Sequence, residues 1–339
     1  MGKILITGAT GLLGRMLVSA LGRENAVLLV REPKCLEKFP ELVSKEAIQG
    51  DILHDGLGIA KIKKEEIIEI WHLAANTNLS GMPSERDEIF LTNVHGTKNI
   101  LEFARGCKNL KKYYHMSTAY AAGKQEGPIA QDWIPRPYAF RNSYEESKWE
   151  GENIVRKYTD RYRIPYVIFR PGILAFDTKQ FSDLSGQTFY RFTSILLDSI
   201  RGHDSGNLRL VGKDIPILNI VWAEKIIDAA LAIRKTGKIN SIYNLTSQVN
   251  VSVGDILSAV EELTGRRINA IALPQDDFSI AEKNLNRKIS VFHPYMSGTS
   301  CKWEGEKIFS CGLTSIEFTE HLTGYIGTCY DTRHIIKVQ

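Results

Sequence analysis

The first fourteen residues constrain this chain more than any other stretch. Ile4-Leu5-Ile6-Thr7 is a short apolar run, Gly8-Ala9-Thr10-Gly11 a glycine-rich turn, and Leu12-Leu13-Gly14 the start of an apolar helix. A buried strand that turns sharply into a helix is the opening unit of a doubly wound, parallel α/β fold. Each glycine has a separate task. Gly8 permits the sharp turn, Gly11 lets backbone N–H groups approach a pyrophosphate, and Gly14 allows the helix to pack closely on the strand. The helix N-terminus then offers free N–H donors and the positive end of its dipole to the phosphate charge. Glycines recur every three residues here, rather than at the two-then-three spacing of the general fingerprint.

The rest of the N-terminal half continues in the same alternation. Ala26–Val30 is an uninterrupted apolar run, the pattern of a strand covered on both faces. It ends at Arg31. An acidic residue at this place holds ribose hydroxyls, whereas an arginine accommodates a 2′-phosphate, so Arg31 favours NADP(H) and the adjacent Glu32 pulls the other way. Arg15, just past the third glycine, offers a second positive contact or is an ordinary exposed helix residue. Glu46–Gln49 reads as a third strand and Ile67–Leu73 as a fourth, separated by a charged helical turn at Lys61–Glu66. Asp51, after the third strand, is either an acceptor for an adenine amino group or a turn aspartate. Ala74 and Ala75 are small enough to let a cofactor lie over the end of the fourth strand. His72, inside an apolar strand, reads as a satisfied core histidine.

Glu85–Arg105 has helical periodicity, interrupted at Asn93 beside Gly96-Thr97. Tyr113–Met116 is a fifth strand, a Pro-rich loop spans Gly127 to Pro137, and a helix from Tyr144 to about Tyr162 leads to a sixth strand, Pro165–Arg170. Later segments read as helices at Thr188–Ile200, Trp222–Arg234 and Ser252–Thr264, and as strands at Leu208–Val211, Ser241–Leu245 and Ile268–Leu273. Ser252 with Asp255 forms a near capping box. Phe176–Gly186 reads as a loop, and no assignment is made beyond Asp276. The fold class is therefore α/β, a doubly wound parallel sheet. The dinucleotide-binding core covers residues 1–172, and 173–339 is mainly a substrate-binding region, with about 215–250 returning to the core sheet.

Tyr144 and Lys148 are four apart and share one helix face. An ammonium beside a phenol favours the phenolate and so lowers the tyrosine pKa. With Thr118 at the end of the fifth strand, the set suits hydride transfer between a nicotinamide and a carbonyl. Tyr144 donates the proton, Lys148 assists and grips the ribose, and Thr118 orients the substrate.

These residues together resemble an extended short-chain dehydrogenase/reductase. The resemblance is carried by Thr7-Gly8-Ala9-Thr10-Gly11-Leu12-Leu13-Gly14, Gly50-Asp51, His72-Leu73-Ala74-Ala75, Asn93-Val94-His95-Gly96-Thr97, Tyr144 with Lys148, and Arg170-Pro171-Gly172. Within that superfamily the chain is most similar to the thioester-reductase and fatty acyl-CoA reductase (male-sterility-like) branch. The matching residues are Leu29-Val30-Arg31, Met116-Ser117-Thr118-Ala119-Tyr120, Ser147-Lys148-Trp149-Glu150-Gly151-Glu152 and Phe169-Arg170-Pro171-Gly172-Ile173. The resemblance implies a catalytic triad of Thr118, Tyr144 and Lys148, with Thr118 rather than Ser117 as the active hydroxyl. It implies cofactor contacts from Gly8, Thr10, Gly11, Leu12, Leu13, Gly14, Arg15, Arg31, Asp51, Ile52, Ala74, Ala75, Asn93, Tyr144, Lys148 and Pro171. The implied reaction is NADPH-dependent reduction of a CoA- or carrier-bound thioester, or of the derived aldehyde, to aldehyde or alcohol. The same scaffold also serves sugar-nucleotide epimerases and dehydratases, ketone reductases and cofactor-binding regulatory proteins, and fold alone does not separate them. The chain departs from the branch after Gly172, where only Phe176-Asp177-Thr178 and a late Ser185-Gly186 resemble the usual segment. Gly202-His203-Asp204-Ser205 looks superficially like a phosphopantetheine site, but Gly206-Asn207 follow it and it reads as a loop.

Composition narrows the setting. A net charge of +4 over 339 residues, with scattered basic residues, gives no nucleic-acid footprint. No apolar run is long enough to span a bilayer. Cys35, Cys107, Cys301, Cys311 and Cys329 show no metal-site spacing, which fits a reduced, cytoplasmic protein with no metal. The expected partner is a small-molecule or carrier-bound acyl substrate, and the oligomeric state is left open.

Overall fold

The computed structural model describes residues 2–22, 24–43, 45–59, 62–176, 188–201, 207–213, 218–296 and 301–305, with 320, 321 and 324. In chain order the first half comprises β1 (Lys3–Thr7), α1 (Leu12–Leu21), β2 (Ala26–Val30), β3 (Glu46–Gln49), β4 (Ile67–His72), α2 (Pro83–Phe90), α3 (Gly96–Arg105), β5 (Lys112–Met116), β6 (Gly127–Ile129), α4 (Ser143–Tyr162) and β7 (Tyr166–Pro171). The second half adds β8 (Ile173–Ala175), α5 (Thr188–Arg201), β9 (Leu208–Val211), β10 (Ile220–Trp222), α6 (Ala223–Thr236), β11 (Ser241–Leu245), α7 (Val253–Thr264), β12 (Ile268–Ile271), α8 (Ile280–Lys288), α9 (His293–Met296) and β13 (Cys301–Trp303). The expected loop at 176–186 and the Gly202–Ser205 stretch lie almost wholly outside the described residues.

The main sheet has seven strands in the order β11-β7-β5-β4-β1-β2-β3, all neighbours parallel. From β1 the chain runs outward through β2 and β3, then crosses back to β4. The order therefore reverses between β1 and β4, and the glycine turn after β1 opens at that switch point, where open α/β sheets bind ligands. Alternate strand residues feed opposite layers, as the two-residue period of a strand dictates. Ile4, Ile6, Leu28, Trp71, Tyr114 and Phe169 enter one core, while Leu5, Leu29, Ile70, Tyr113 and Ile168 enter the other. Trp71 stacks on Tyr114 at 3.9 Å between ring centroids, which knits β4 to β5.

The predicted helix over 85–105 starts earlier, at Pro83, where a proline at N1 costs no hydrogen bond. It is not uniform. Leu91–His95 is a π turn between α2 and α3. The wide turn rotates Asn93 inward, and this accounts for the break in apolar periodicity. The segment beyond 276, unassigned from sequence, forms α8 behind a Ser279–Glu282 capping box, then α9 and β13. β13 pairs in parallel with β6, so the far C-terminal part is strapped onto the loop that precedes α4. Among the described residues no helix is long and apolar enough to cross a membrane, and Cys35, Cys107 and Cys301 are free thiols.

Candidate active site

One cavity of about 350 Å³ runs from the glycine turn to the C-terminal lobe. Gly8, Gly11, Leu12, Leu13 and Gly14 line one end; Ala75, Thr118, Tyr144, Lys148 and Pro171 line its middle. Sequence-distant predictions are thus brought together by the ends of β1, β4, β5 and β7 and by the first turns of α4. Gly8 has φ +72°, and a Cβ there would lie 2.5 Å from the Ala74 nitrogen. Gly14 abuts the Gly8 carbonyl. Gly11 is different: a Cβ would meet only the Gly8 oxygen, at 3.4 Å, and its backbone is extended with φ −76° and ψ 167°. Protein packing does not demand a glycine at 11. A pyrophosphate against the bare backbone does, so the turn fits a dinucleotide.

Ser117 and Thr118 follow β5, and both line the cavity with different partners. Ser117 is buried and donates to the Glu152 carboxylate at 2.5 Å. Thr118 caps the short turn Ala119–Ala122, reaches the Pro171 carbonyl at 3.4 Å, and hydrogen-bonds Tyr144. Thr118 is therefore the hydroxyl paired with the tyrosine. Lys148 donates to the Met116 carbonyl at 2.6 Å from within the cavity wall. Burial lowers it to about 8, against an upward pull from Glu152.

The expected acidification of Tyr144 is not what the isolated protein has. Burial pushes the phenol up to about 12; the Thr118 hydrogen bond lowers it, and the negative Glu145 adds to the rise. The Lys148 ammonium is turned to the Met116 carbonyl. At neutral pH the phenol carries its proton.

Several predicted cofactor residues stand elsewhere. Arg15 pairs with Glu41 and lies 4.6 Å over the Phe39 ring, so its charge is partly spent within the protein. Arg31 is exposed at the end of β2. Asp51 accepts from the Leu53 N–H at 2.9 Å, the turn role rather than an open acceptor. Ile52 is buried and fills the space above Gly96. Thr10 and Ala74 flank the lining without forming it. Asn93 is also set back. Its amide accepts from Asn76 N–H at 2.7 Å and donates to the Asn76 carbonyl at 2.9 Å and Ser147 Oγ at 2.8 Å. It fastens the loop after β4 to α4, a structural duty with every amide group used. His72 is the satisfied core histidine expected, between Thr7 Oγ1 at 2.8 Å and Thr97 Oγ1 at 3.0 Å, and burial lowers it to about 3.

Sequence reasoning missed the far wall. Phe189 and Phe192 of α5, Ile220 of β10, Ile256 of α7, Phe292 and Met296 line the arm beyond the triad. Lys148 is the one charged residue among the described lining residues.

Residues 6–199 match the male sterility protein family model, an NAD-binding domain. Human dTDP-D-glucose 4,6-dehydratase is 23% identical over 270 residues, 77% of this chain and 73% of that protein. Fatty acyl-CoA reductase wat of Drosophila melanogaster is 26% identical over 223 residues, 50% of this chain and 42% of that protein. The terminal R domain from the myxalamid PKS-NRPS biosynthetic pathway has the same fold, with TM-score 0.74 at 21% identity over 97% of this chain and 92% of that one. The family match spans more than half of the sequence and coincides with the glycine turn, Thr118, Tyr144 and Lys148. The chain belongs to the male sterility protein family, the fatty acyl-CoA reductase branch of the extended, NAD(P)-dependent short-chain dehydrogenases/reductases.

Proposed function

We propose that this protein is an NADPH-dependent reductase of an acyl thioester, CoA- or carrier-bound, or of the derived aldehyde. The observation that carries this reading is the arm beyond Tyr144. It is lined by Phe189, Phe192, Leu218, Ile220, Phe292 and Met296, with no cation among the described residues to meet a nucleoside diphosphate. An acyl chain gains from burial against such a wall, at about 25 cal/mol per Å² of apolar surface, and asks for no charge. Among the described lining residues nothing pairs with the pyrophosphate of a sugar nucleotide in this arm.

The bound cofactor supplies a hydride for the acyl carbonyl carbon. Gly8, Gly11 and Gly14 would hold the dinucleotide's pyrophosphate against the start of α1, and Arg31 would meet a 2′-phosphate. Thr118 donates a hydrogen bond to the carbonyl oxygen. Tyr144, protonated at neutral pH, gives its proton to that oxygen as negative charge grows, which suits reduction better than proton removal. Lys148 keeps a positive charge beside the reacting oxygen and binds the ribose. The Tyr144 phenolate then takes that proton back as the carbon–sulfur bond breaks, so the tetrahedral adduct releases an aldehyde and the thiolate.

The test is a panel of long-chain acyl-CoA, acyl-pantetheine and dTDP- and UDP-sugars, each with NADPH and read by mass spectrometry. Aldehyde or alcohol from thioesters, with NADPH consumed in proportion, is expected. Conversion of a sugar nucleotide without net cofactor consumption would replace this reading with a dehydratase or epimerase.

A further inference from the structure

Beneath the catalytic face of α4 lies a buried charged cluster that the mechanism above does not use. Glu152 sits one helical turn beyond Lys148. Its carboxylate is gripped by Arg170 of β7, from Nε at 2.9 Å and Nη2 at 2.6 Å, and by Ser117 Oγ at 2.5 Å. Neither member of the pair sees solvent, with Arg170 and Glu152 side chains 0% and 3% exposed. Arg170 also donates to the Asp132 carbonyl at 2.9 Å. Ser117 directly follows Met116, whose carbonyl receives the Lys148 ammonium at 2.6 Å. The lysine and the carboxylate are therefore held by adjacent residues of one strand end.

Such a buried pair is weak evidence for stability, since apolar residues fill the same volume at no loss. Its position suggests another use. Lys148 is faced by His72 from β4, His115 from β5, and Glu152 from its own helix, with Arg170 bound to the Glu152 carboxylate. Burial keeps both imidazoles neutral. Glu152 is thus the carboxylate that faces the ammonium among the described residues, and Ser117 and Arg170 fix its direction.

We propose that Glu152 is a positioning residue for Lys148: its carboxylate, clamped by Arg170 and Ser117, keeps the lysine charged and aimed into the cavity. The assignment rests on Lys148 acting as the cation of the reaction, but its test needs neither cofactor nor turnover. Competitive labelling with acetic anhydride across pH, read on the Lys148 peptide by mass spectrometry, gives the titration midpoint of the amine. In Glu152→Gln the neutral amide leaves Arg170 unopposed, and the midpoint moves down by about one pH unit. Glu152→Asp keeps the charge and restores the midpoint to near the parent value. Equal displacement by both variants, or by neither, overturns the proposal. Should Glu152→Gln fail to fold, Glu152→Gln/Arg170→Gln removes both charges together. Glu152 shares the helix of Lys148 at one turn's spacing, whereas Arg170 is on β7 with its guanidinium bound to the Glu152 carboxylate, so the midpoint still falls, by less; an unchanged or raised midpoint overturns the proposal. A protein that labels as expected yet reduces no thioester keeps this role for Glu152 and discards only the substrate assignment.

Discussion

Gly11→Ala separates a glycine that serves a ligand from one that serves the fold. The new methyl would touch only the Gly8 oxygen at 3.4 Å, an ordinary contact, and the backbone at φ −76° and ψ 167° is open to any L residue. Folding should cost nothing. Restricting the unfolded chain should add about 0.4–1 kcal/mol, which for a chain of this size is a rise in Tm of roughly 1 °C. The methyl also occupies the concave side of the turn, where phosphate oxygens must come against backbone N–H groups. Losing one or two charge-assisted hydrogen bonds, at about 1.5–3 kcal/mol each, weakens NADPH binding roughly 10- to 100-fold or more. Gly14→Ala is the contrast. Its methyl is driven into the Gly8 carbonyl, with backbone on both sides, so it should lose several kcal/mol of stability. Thermal melting and NADPH fluorescence titration of both variants decide the matter. A Gly11→Ala protein that melts several degrees lower, or that binds NADPH as well as the parent, refutes the assignment of this turn as the pyrophosphate cradle.

Other expectations are independent of that turn. Tyr144→Phe should lower kcat on the best thioester by about 100-fold or more while NADPH affinity stays within a few-fold; lost NADPH binding would make Tyr144 structural. Arg31→Asp should cost NADPH about 10-fold or more in Kd and leave NADH less affected, and an unchanged NADPH-to-NADH ratio removes Arg31 from the 2′-phosphate. His72 gives a pH dependence of stability. Its pKa is about 3 in the folded chain and 6.5 when free, so between those values the unfolded chain binds more protons. The stabilisation is complete above pH 6.5 and is lost as pH falls, by about 2 kcal/mol at pH ~5. Urea unfolding at pH ~7.5 and ~5 should show that loss, with a shallower slope in His72→Gln; equal slopes would assign the acid sensitivity to other groups.

The cofactor end of the site was legible because its information is local. Gly8, Gly11 and Gly14 announce a strand-turn-helix within a dozen residues, and Tyr144 and Lys148 share a face at one turn's spacing. Ser117 and Thr118 show the limit of that kind of reading. Both are hydroxyls at a strand end that line the cavity, and only their partners tell them apart: Glu152 takes the Ser117 hydroxyl, and Thr118 pairs with Tyr144. Arg15 was misleading because its partner, Glu41, lies across a turn that periodicity does not register. Asn93 was misleading because a π turn changes which face a residue occupies. The segment after 276 carried almost no signal. Its strand Cys301–Trp303 is three residues long and finds its partner at Gly127–Ile129, far back in the chain. The tyrosine's proton affinity was misjudged for a related reason: spacing on a helix says that two side chains are near, and does not say that Lys148 points to Met116 instead.

The strap formed by Cys301–Trp303 on Gly127–Ile129 has a consequence for how the molecule is made. During synthesis the glycine turn, Thr118, Tyr144 and Lys148 emerge before Phe292, Tyr295 and Met296. Tyr295 is moreover the group that receives the Asn142 amide at 2.8 Å, so this later wall docks directly on the cap of α4. A nascent chain can thus present the glycine turn and Tyr144 while the apolar arm of the cavity still lacks a side. The arm is closed only when Cys301–Trp303 returns to the loop before α4.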